Sequence, residues 1–323
     1  MSALLEVSGL RTEFASRAGV VKAVDDVSFS LQAGQIMGLV GESGSGKSMT
    51  GYSIMGLIDA PGRVTGGSVR FKGQELLGLA PKALRQLRGN RIAMIFQDPM
   101  MTLNPVLRID TQMIETVRAH RAVGRAAALA LARAALVKVG IGAPDERLQA
   151  YPHQFSGGMR QRVAIAIALL NGPDLIICDE PTTALDVTIQ AQILHEMQAV
   201  CRDAGTALIW ITHDLSVVAG LADSVCVMYA GRIVESGSTA QVLEQPRHPY
   251  TAGLIASAPS RNTRGAPLRQ IAGHTPSLLN LGPGCAFRSR CDAASAACAA
   301  TPPLQVAGAR TLRCFHPATG ALA

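Results

Sequence analysis

Residues 41–48 read Gly-Glu-Ser-Gly-Ser-Gly-Lys-Ser, with glycines at the first and sixth positions ahead of a lysine and a hydroxyl. Glycines let backbone N–H groups curl around an anion, and a helix starting at the lysine adds partial positive charge there. Lys47 is placed to reach the β- and γ-phosphates of a nucleotide and Ser48 to hold Mg²⁺, with Gly41, Ser43, Gly44, Ser45, Gly46 and Met49 around the phosphates. A Gly/Ser-rich turn has the same composition. The apolar run Ile36–Val40 before the loop and the helix-compatible Met49–Leu57 after it favour the phosphate cradle.

Three further groups could act on a bound nucleotide. Leu175–Cys178 is an apolar run that ends in Asp179-Glu180. In a parallel sheet the strand ends are where ligands bind. Asp179 there can hold Mg²⁺ through water, and Glu180 can polarise an attacking water. An acid pair before Pro181 can also cap the next helix, and the upstream cradle favours the catalytic reading. Gln97 follows the strand candidate Ile92–Phe96 and can ligate Mg²⁺ without adding charge. His213 follows the apolar run Leu208–Ile211 and can donate to a γ-phosphate, although a lone His at a strand end is often structural. Ser156-Gly157-Gly158-Met159-Arg160-Gln161 opens a helix with a serine N-cap and exposed N–H groups. The chain already has one phosphate loop, so this second anion-binding helix start suits the nucleotide of another chain.

The elements that must position these groups follow from periodicity. Leu4–Leu31 alternates as antiparallel strands around a turn at Ala18-Gly19, and Val69–Phe71 is a further strand candidate. Thr111–Val139 has helical spacing with Gly124 as its one interruption, which predicts two helices. Gly140–Pro144 is a break. Gly157–Leu170 predicts a helix stopped by Asn171-Gly172-Pro173. Continuous apolar strands, Val225–Tyr229 among them, separated by helices predict a mainly parallel sheet covered on both faces. His248-Pro249-Tyr250 opens a short helix to about Ala258, and Ser260–Pro283 is rich in Pro, Gly, Ser and Arg.

The chain has 323 residues, room for one large α/β domain and a smaller appendage. No apolar stretch approaches the ~20 residues of a membrane span, and the first residues lack a secretory signal's basic and apolar regions, so a soluble, cytoplasmic protein is expected. From Gln241 onward there are eight Arg, no Lys and two acids, so six of the seven net positive charges lie in the last quarter. That balance suits an anionic partner (a lipid surface, nucleic acid or an anionic cofactor) or a solvated basic tail. Cys178, Cys201 and Cys226 are scattered and read as buried residues. Cys285, Cys291, Cys298 and Cys314 cluster, and a cytoplasmic protein would not normally hold them as disulfides.

Gly41–Ser48, Gln97, Ser156–Gln161, Asp179-Glu180, Ala184-Leu185-Asp186 and His213, in that order, resemble the ATP-binding subunits of ATP-binding cassette (ABC) transporters over residues 1 to about 240. The resemblance implies an α/β P-loop NTPase: a RecA-like core, an antiparallel β-subdomain and a helical subdomain inserted at about 98–170. In that family two such domains close around two ATP molecules. Carried over, Lys47 and Ser48 bind ATP and Mg²⁺, Glu180 is the general base, His213 senses the γ-phosphate, and Ser156, Gly157 and Gly158 complete the partner's site. Phe14 matches the aromatic that stacks on adenine and equally fits a core position. The chain departs from the pattern at Phe155 and Met159, where the family has Leu and Gln, and at Met49, where many members have Ser or Thr. Neither departure removes a catalytic group.

Phe96–Pro105, Tyr151–Arg162 and His248-Pro249-Tyr250-Thr251 with Leu254 and Ser257 are similar to the dipeptide/oligopeptide/nickel importers. So is the extension at 241–323, with five, six and fifteen residues between its successive cysteines. Thiolates at such spacings can ligate a metal or an iron–sulfur cluster. The subfamily implies a [4Fe–4S] cluster on Cys285, Cys291, Cys298 and Cys314, with Zn²⁺ as the alternative and Arg288, Arg290 and Arg313 offsetting its charge. The implied function is ATP hydrolysis coupled to uptake of peptides, nickel or related ligands, at the cytoplasmic face of the inner membrane. The implied partners are a homologous cassette (as a heterodimer), two membrane permeases and an external binding protein. The competing classes are a soluble ABC ATPase acting on nucleic acid or ribosomes, which the single cassette without long insertions disfavours, and a redox-sensing regulator using the cysteines.

Overall fold

A computed structural model describes residues 3–182, 186–258, 261–262, 265, 267–279 and 281–318. The alternation at the start of the chain becomes a hairpin, β1 (Leu5–Ser16) and β2 (Gly19–Leu31), paired antiparallel from Ser16↔Gly19 to Leu5↔Leu31. The turn residues are Arg17 and Ala18, with Gly19 opening β2. β3 (Ile36–Val40) is buried at every residue and runs into the phosphate loop. Helix α1 (Lys47–Met55) starts two residues earlier than Met49, because Lys47 and Ser48 form its first turn, and it ends at Gly56 in the left-handed region. β4 (Gly62–Phe71) is far longer than its apolar end Val69–Phe71 suggests. Pairing with β1 down to Phe14↔Gly62 overrides the weak strand propensity of its glycines. With β5 (Gln74–Glu75) the sheet order is β2-β1-β4-β5.

The chain divides into two units, one of Met1–Gln32, Ile36–Leu77 and Trp210–Ala323, the other of Ala33–Gln35 and Gly78–Ile209. The second unit carries α2 (Pro81–Leu87) and β6 (Ile92–Ile95). The two predicted helices follow as α3 (Ile109–Arg118) and α4 (Arg125–Lys138), the latter capped at Gly124. The short α5 (Pro144–Gln149) comes after the predicted break. α6 (Gly157–Leu169) and β7 (Leu175–Asp179) stand where the sequence places them, and β7 lies parallel to β6. α7 (Val187–Ala204) buries Ile193, Met197, Val200 and Cys201 along one stripe. β8 (Ala207–Thr212) begins in this unit and ends in the first.

Back in the first unit come α8 (Leu215–Leu221), β9 (Ser224–Tyr229), β10 (Arg232–Ser238), α9 (Thr239–Glu244) and α10 (Pro249–Ala256). β3 and β9 are parallel, but β9 and β10 are antiparallel, so this part of the sheet is mixed. The last strands, β11 (Gln305–Ala307) and β12 (Arg310–Leu312), extend it in the order β11-β12-β10-β9-β3 through Glu235↔Leu312 and Ser236↔Thr311. The core of this unit is continuous across residue 240: Val40, Val225, Val227 and Tyr229 pack with Val242, Tyr250 and Phe287. Cys178, Cys201 and Cys226 are buried as expected; burial pushes the Cys226 thiol up to about 12. Among the described residues, no helix is long and apolar enough to cross a membrane.

Candidate active site

In the first unit the phosphate loop leaves β3 and enters α1. Two glycines are required sterically. A Cβ on Gly41 would lie 2.2 Å from the Met228 carbonyl oxygen, and one on Gly46, at φ 103°, would lie 2.2 Å from that of Ala23. Ser43 and Gly44 are exposed at the mouth, and Gly46 is the N-cap of α1. Lys47 is 4% exposed, and its Nζ donates to the carbonyls of Gly41 at 2.8 Å and Glu42 at 2.9 Å. The ammonium is thus held at the loop by its own backbone. Ser45 Oγ is buried without a hydrogen-bond partner. The donor set fits a polyphosphate: a helix N-terminus, a buried lysine and an unsatisfied hydroxyl line one loop. Ser48 and Met49 lie half-buried in the first turn of α1.

His213 follows β8 on the same unit and is exposed. Its turn is fixed by the Asp214 N–H donating to Thr212 Oγ1 at 3.0 Å and by the Asp214 carboxylate capping α8 through Ser216 N–H at 2.8 Å. Phe14 is half-buried on β1, where its ring covers Gly62; a Cβ there would meet the ring at 2.4 Å.

In the second unit β7 ends on the buried Asp179, and Glu180 follows with φ 45°, a left-handed backbone uncommon for a glutamate. Gln97 is exposed after β6, and its Nε2 donates to Glu180 Oε2 at 3.4 Å. Two groups separated by 83 residues in sequence therefore meet at neighbouring strand ends. Ser156 caps α6 by accepting from Met159 N–H at 3.3 Å. Ser156 and Gly157 are exposed and Gly158 is half-buried, so the first N–H groups of this helix face outward. Asp186 caps α7 through Ile189 N–H at 2.9 Å; Ala184 and Leu185 lie outside the described residues.

The four late cysteines share one neighbourhood. Cys285 N–H donates to Cys298 O at 3.0 Å, and Cys314 Sγ accepts from His316 N–H at 3.3 Å. Burial first, then the neighbouring thiols, pushes the Cys314 thiol up; burial also raises Cys285 and Cys291. Yet among the described residues no three His, Cys, Asp or Glu side chains are grouped so as to hold a metal ion. Cys298 and Cys314 are buried and Cys285 and Cys291 half-buried, and the four are not gathered as the ligand cage expected of them. Two of the three arginines expected to offset a cluster's charge are paired with carboxylates. Arg290 pairs with Glu42 at 2.7 Å and Arg313 with Asp26 at 2.6 Å, while Arg288 stays beside Cys285. Arg310 pairs with Glu235. Three tail arginines thus meet carboxylates of the same unit, a third use of the basic tail beside an anionic partner and solvation.

Sequence reasoning missed Glu42. Its carboxylate accepts both arms of the Arg290 fork, at 2.7 and 3.0 Å, and the Thr275 hydroxyl at 2.8 Å. Its backbone N–H donates to Tyr250 Oη at 2.8 Å. Arg290 holds the Glu42 carboxyl below the usual carboxylate range. The only sequence signal was a carboxylate inside a phosphate cradle, a charge that needs compensation.

Residues 24–183 match the family model described as ABC transporter, and residues 234–298 match that of the oligopeptide/dipeptide transporter C-terminal region. The oligopeptide transport ATP-binding protein OppD of Salmonella typhimurium is 49% identical, over 97% of this chain and 94% of that protein. The dipeptide transport ATP-binding protein DppD of Bacillus subtilis is 46% identical, over 98% and 95%. Among solved structures, the ATP-binding cassette MJ0796 bound to ADP and Pi superposes with a TM-score of 0.66 at 24% identity, over 73% of this chain and 98% of that one, which speaks to the fold.

Proposed function

Since this chain belongs to the ABC transporter ATP-binding subunits and carries the C-terminal region of their oligopeptide/dipeptide members, we propose that it powers uptake of short peptides by hydrolysing ATP. The observation that carries this is similarity to peptide-transport ATP-binding proteins over nearly the whole length of both chains. The chain is an ATPase of the P-loop class that uses ATP and Mg²⁺. Nothing favours nucleic acid or ribosomes as its target.

The residue roles are proposed from the order of the motifs in this family. Lys47 leaves the Gly41 and Glu42 carbonyls for the β- and γ-phosphates, which the loop N–H groups of Gly44 to Ser48 cradle. Ser48, Gln97 and Asp179 hold Mg²⁺. Glu180 takes the proton of the attacking water, and Gln97, already hydrogen-bonded to it, helps orient that water. His213 donates to the γ-phosphate and Phe14 stacks on adenine. Ser156, Gly157 and Gly158 close the ATP of a homologous cassette, whose own signature closes this one. ATP binding draws the pair together and moves the surface around Gln97 and the helical region at about 98–170, which drives the permeases; hydrolysis resets it. The domains are proposed as 1–240 for the cassette and 241–323 for the extension, at the cytoplasmic face of the membrane. The four cysteines are proposed, from the family of the extension, whose match includes Cys285, Cys291 and Cys298, to be drawn together by a [4Fe–4S] cluster, with Zn²⁺ as the alternative; without it they are not grouped as ligands. Iron and acid-labile sulfide in anaerobically purified protein test that assignment, and their absence from such protein contradicts it.

A tagged full-length chain, extracted from its own membranes in mild detergent, tests the function. The expected co-purifying set is a second cassette and two membrane proteins, whose associated binding protein retains peptides. Recovery with ribosomes or nucleic acid instead contradicts the proposal.

A further inference from the structure

Glu42 is held from several sides by the end of the chain. Arg290, 5% exposed at its side chain, places two donors on the Glu42 carboxylate, a third on the Ala272 carbonyl at 3.0 Å, and points toward Tyr229 Oη at 3.3 Å. Its guanidinium carbon lies 5.8 Å from the ring centres of both Tyr229 and Phe287. Thr275 and Tyr250 complete the hold on the Glu42 side chain and N–H. The one polar group of Glu42 turned elsewhere is its carbonyl, which accepts from Lys47. Three separate segments of the region after 240 therefore converge on the residue whose backbone parks the phosphate-binding lysine.

A carboxylate at this position opposes the loop's task. It lies close enough to Lys47 for that ammonium to stabilise its charge, and any phosphate that Lys47 grasps comes within the same range. A buried, bidentate arginine removes that opposition. We propose that Arg290 is the charge-compensating, positioning residue of the phosphate loop, so that the C-terminal extension sets the ATP affinity of the cassette through Glu42. The extension is then part of the nucleotide site at one remove, and its displacement uncovers a carboxylate that repels ATP. This rests on the reading of Gly41–Ser48 as the ATP-binding loop.

Calorimetric titration of the full-length chain with ATP and Mg²⁺ tests it. Arg290→Gln is expected to weaken ATP binding about five- to twentyfold, the scale of one uncompensated carboxylate in a half-exposed site. Glu42→Gln sets the reference without the loop carboxylate, and the double variant Glu42→Gln/Arg290→Gln returns to the level of Glu42→Gln, because the charge to be compensated is gone. Arg290→Lys, which keeps the charge and loses the fork, recovers most of the affinity. Parent-like affinity in Arg290→Gln overturns the proposal, as does a double variant as weak as Arg290→Gln or a lysine variant no better than the glutamine. Lys47→Ala in the same assay checks the reading beneath it: loss of binding supports the loop assignment, and parent-like binding overturns that assignment whatever Arg290 does.

Discussion

His248 makes the region after 240 sensitive to mild acid. The side chain is 1% exposed, and burial lowers its pKa from 6.5 to about 4. Its Nδ1 accepts from Tyr250 N–H at 3.0 Å as the cap of α10, so the neutral ring carries its proton on Nε2, and protonating Nδ1 breaks the cap. Between about pH 4 and 6.5 the unfolded chain binds this proton and the folded chain does not. Stability therefore rises with pH across that window and falls as the solution is acidified from 6.5 toward 4. With those two values, folding loses about 2 kcal/mol between about pH 7.5 and pH 5 from this group alone. His248→Asn keeps a capping oxygen but cannot titrate. It loses ring packing against Phe287, 5.9 Å between centres, so its absolute stability is lower and the comparison is of slopes. Denaturant unfolding at both pH values, followed by the fluorescence of the single tryptophan, Trp210, gives the slopes. The parent should lose about 2 kcal/mol more than His248→Asn over this range. Equal losses in the two proteins would refute the buried, neutral histidine.

Two further outcomes follow from packing. Gly46→Ala places a methyl 2.2 Å from a carbonyl oxygen at a left-handed φ and should lower stability by about 2–4 kcal/mol with loss of ATP binding, whereas Gly44→Ala, with nothing within 4 Å of its Cβ, should cost only about 1 kcal/mol. Thermal melts and ATP titration of both variants check this. Arg310→Met leaves Glu235, 0% exposed, with only the backbone N–H donors of Arg247 and His248, and should cost about 3 kcal/mol; Glu235→Gln/Arg310→Met should regain most of that in urea unfolding.

Local pattern made much of this molecule legible. The phosphate loop, the apolar strands β3, β7, β8 and β9, the paired helices α3 and α4, and the Ser156 cap each follow from a few adjacent residues. α7 was not read from the sequence, although Asp186 caps it and its buried stripe repeats with helical period. What sequence did not reveal depends on distant pairing. β4 takes its length from β1, and β11 and β12 gain their place as strands from the edge of β10. The Glu42–Arg290 pair joins residues 248 apart, and no local rule sends a tail arginine to a phosphate loop. The cysteine spacing suggested a ligand cage, but spacing along a loop does not by itself make thiols converge, and here two are buried and two half-buried without being grouped as ligands.

The central claim is that Glu180 makes this chain's ATP site hydrolytic and that hydrolysis drives import. The most direct measurement is ATP-dependent uptake of labelled peptide, together with phosphate release, by the complete transporter in vesicles containing either this chain or its Glu180→Gln variant. The variant should bind ATP as the parent does, hold the cassettes closed, and lose phosphate release at this site and sustained uptake, with turnover at least about a hundredfold slower, as expected when a general base is removed. Parent-like phosphate release and uptake by Glu180→Gln would contradict the account.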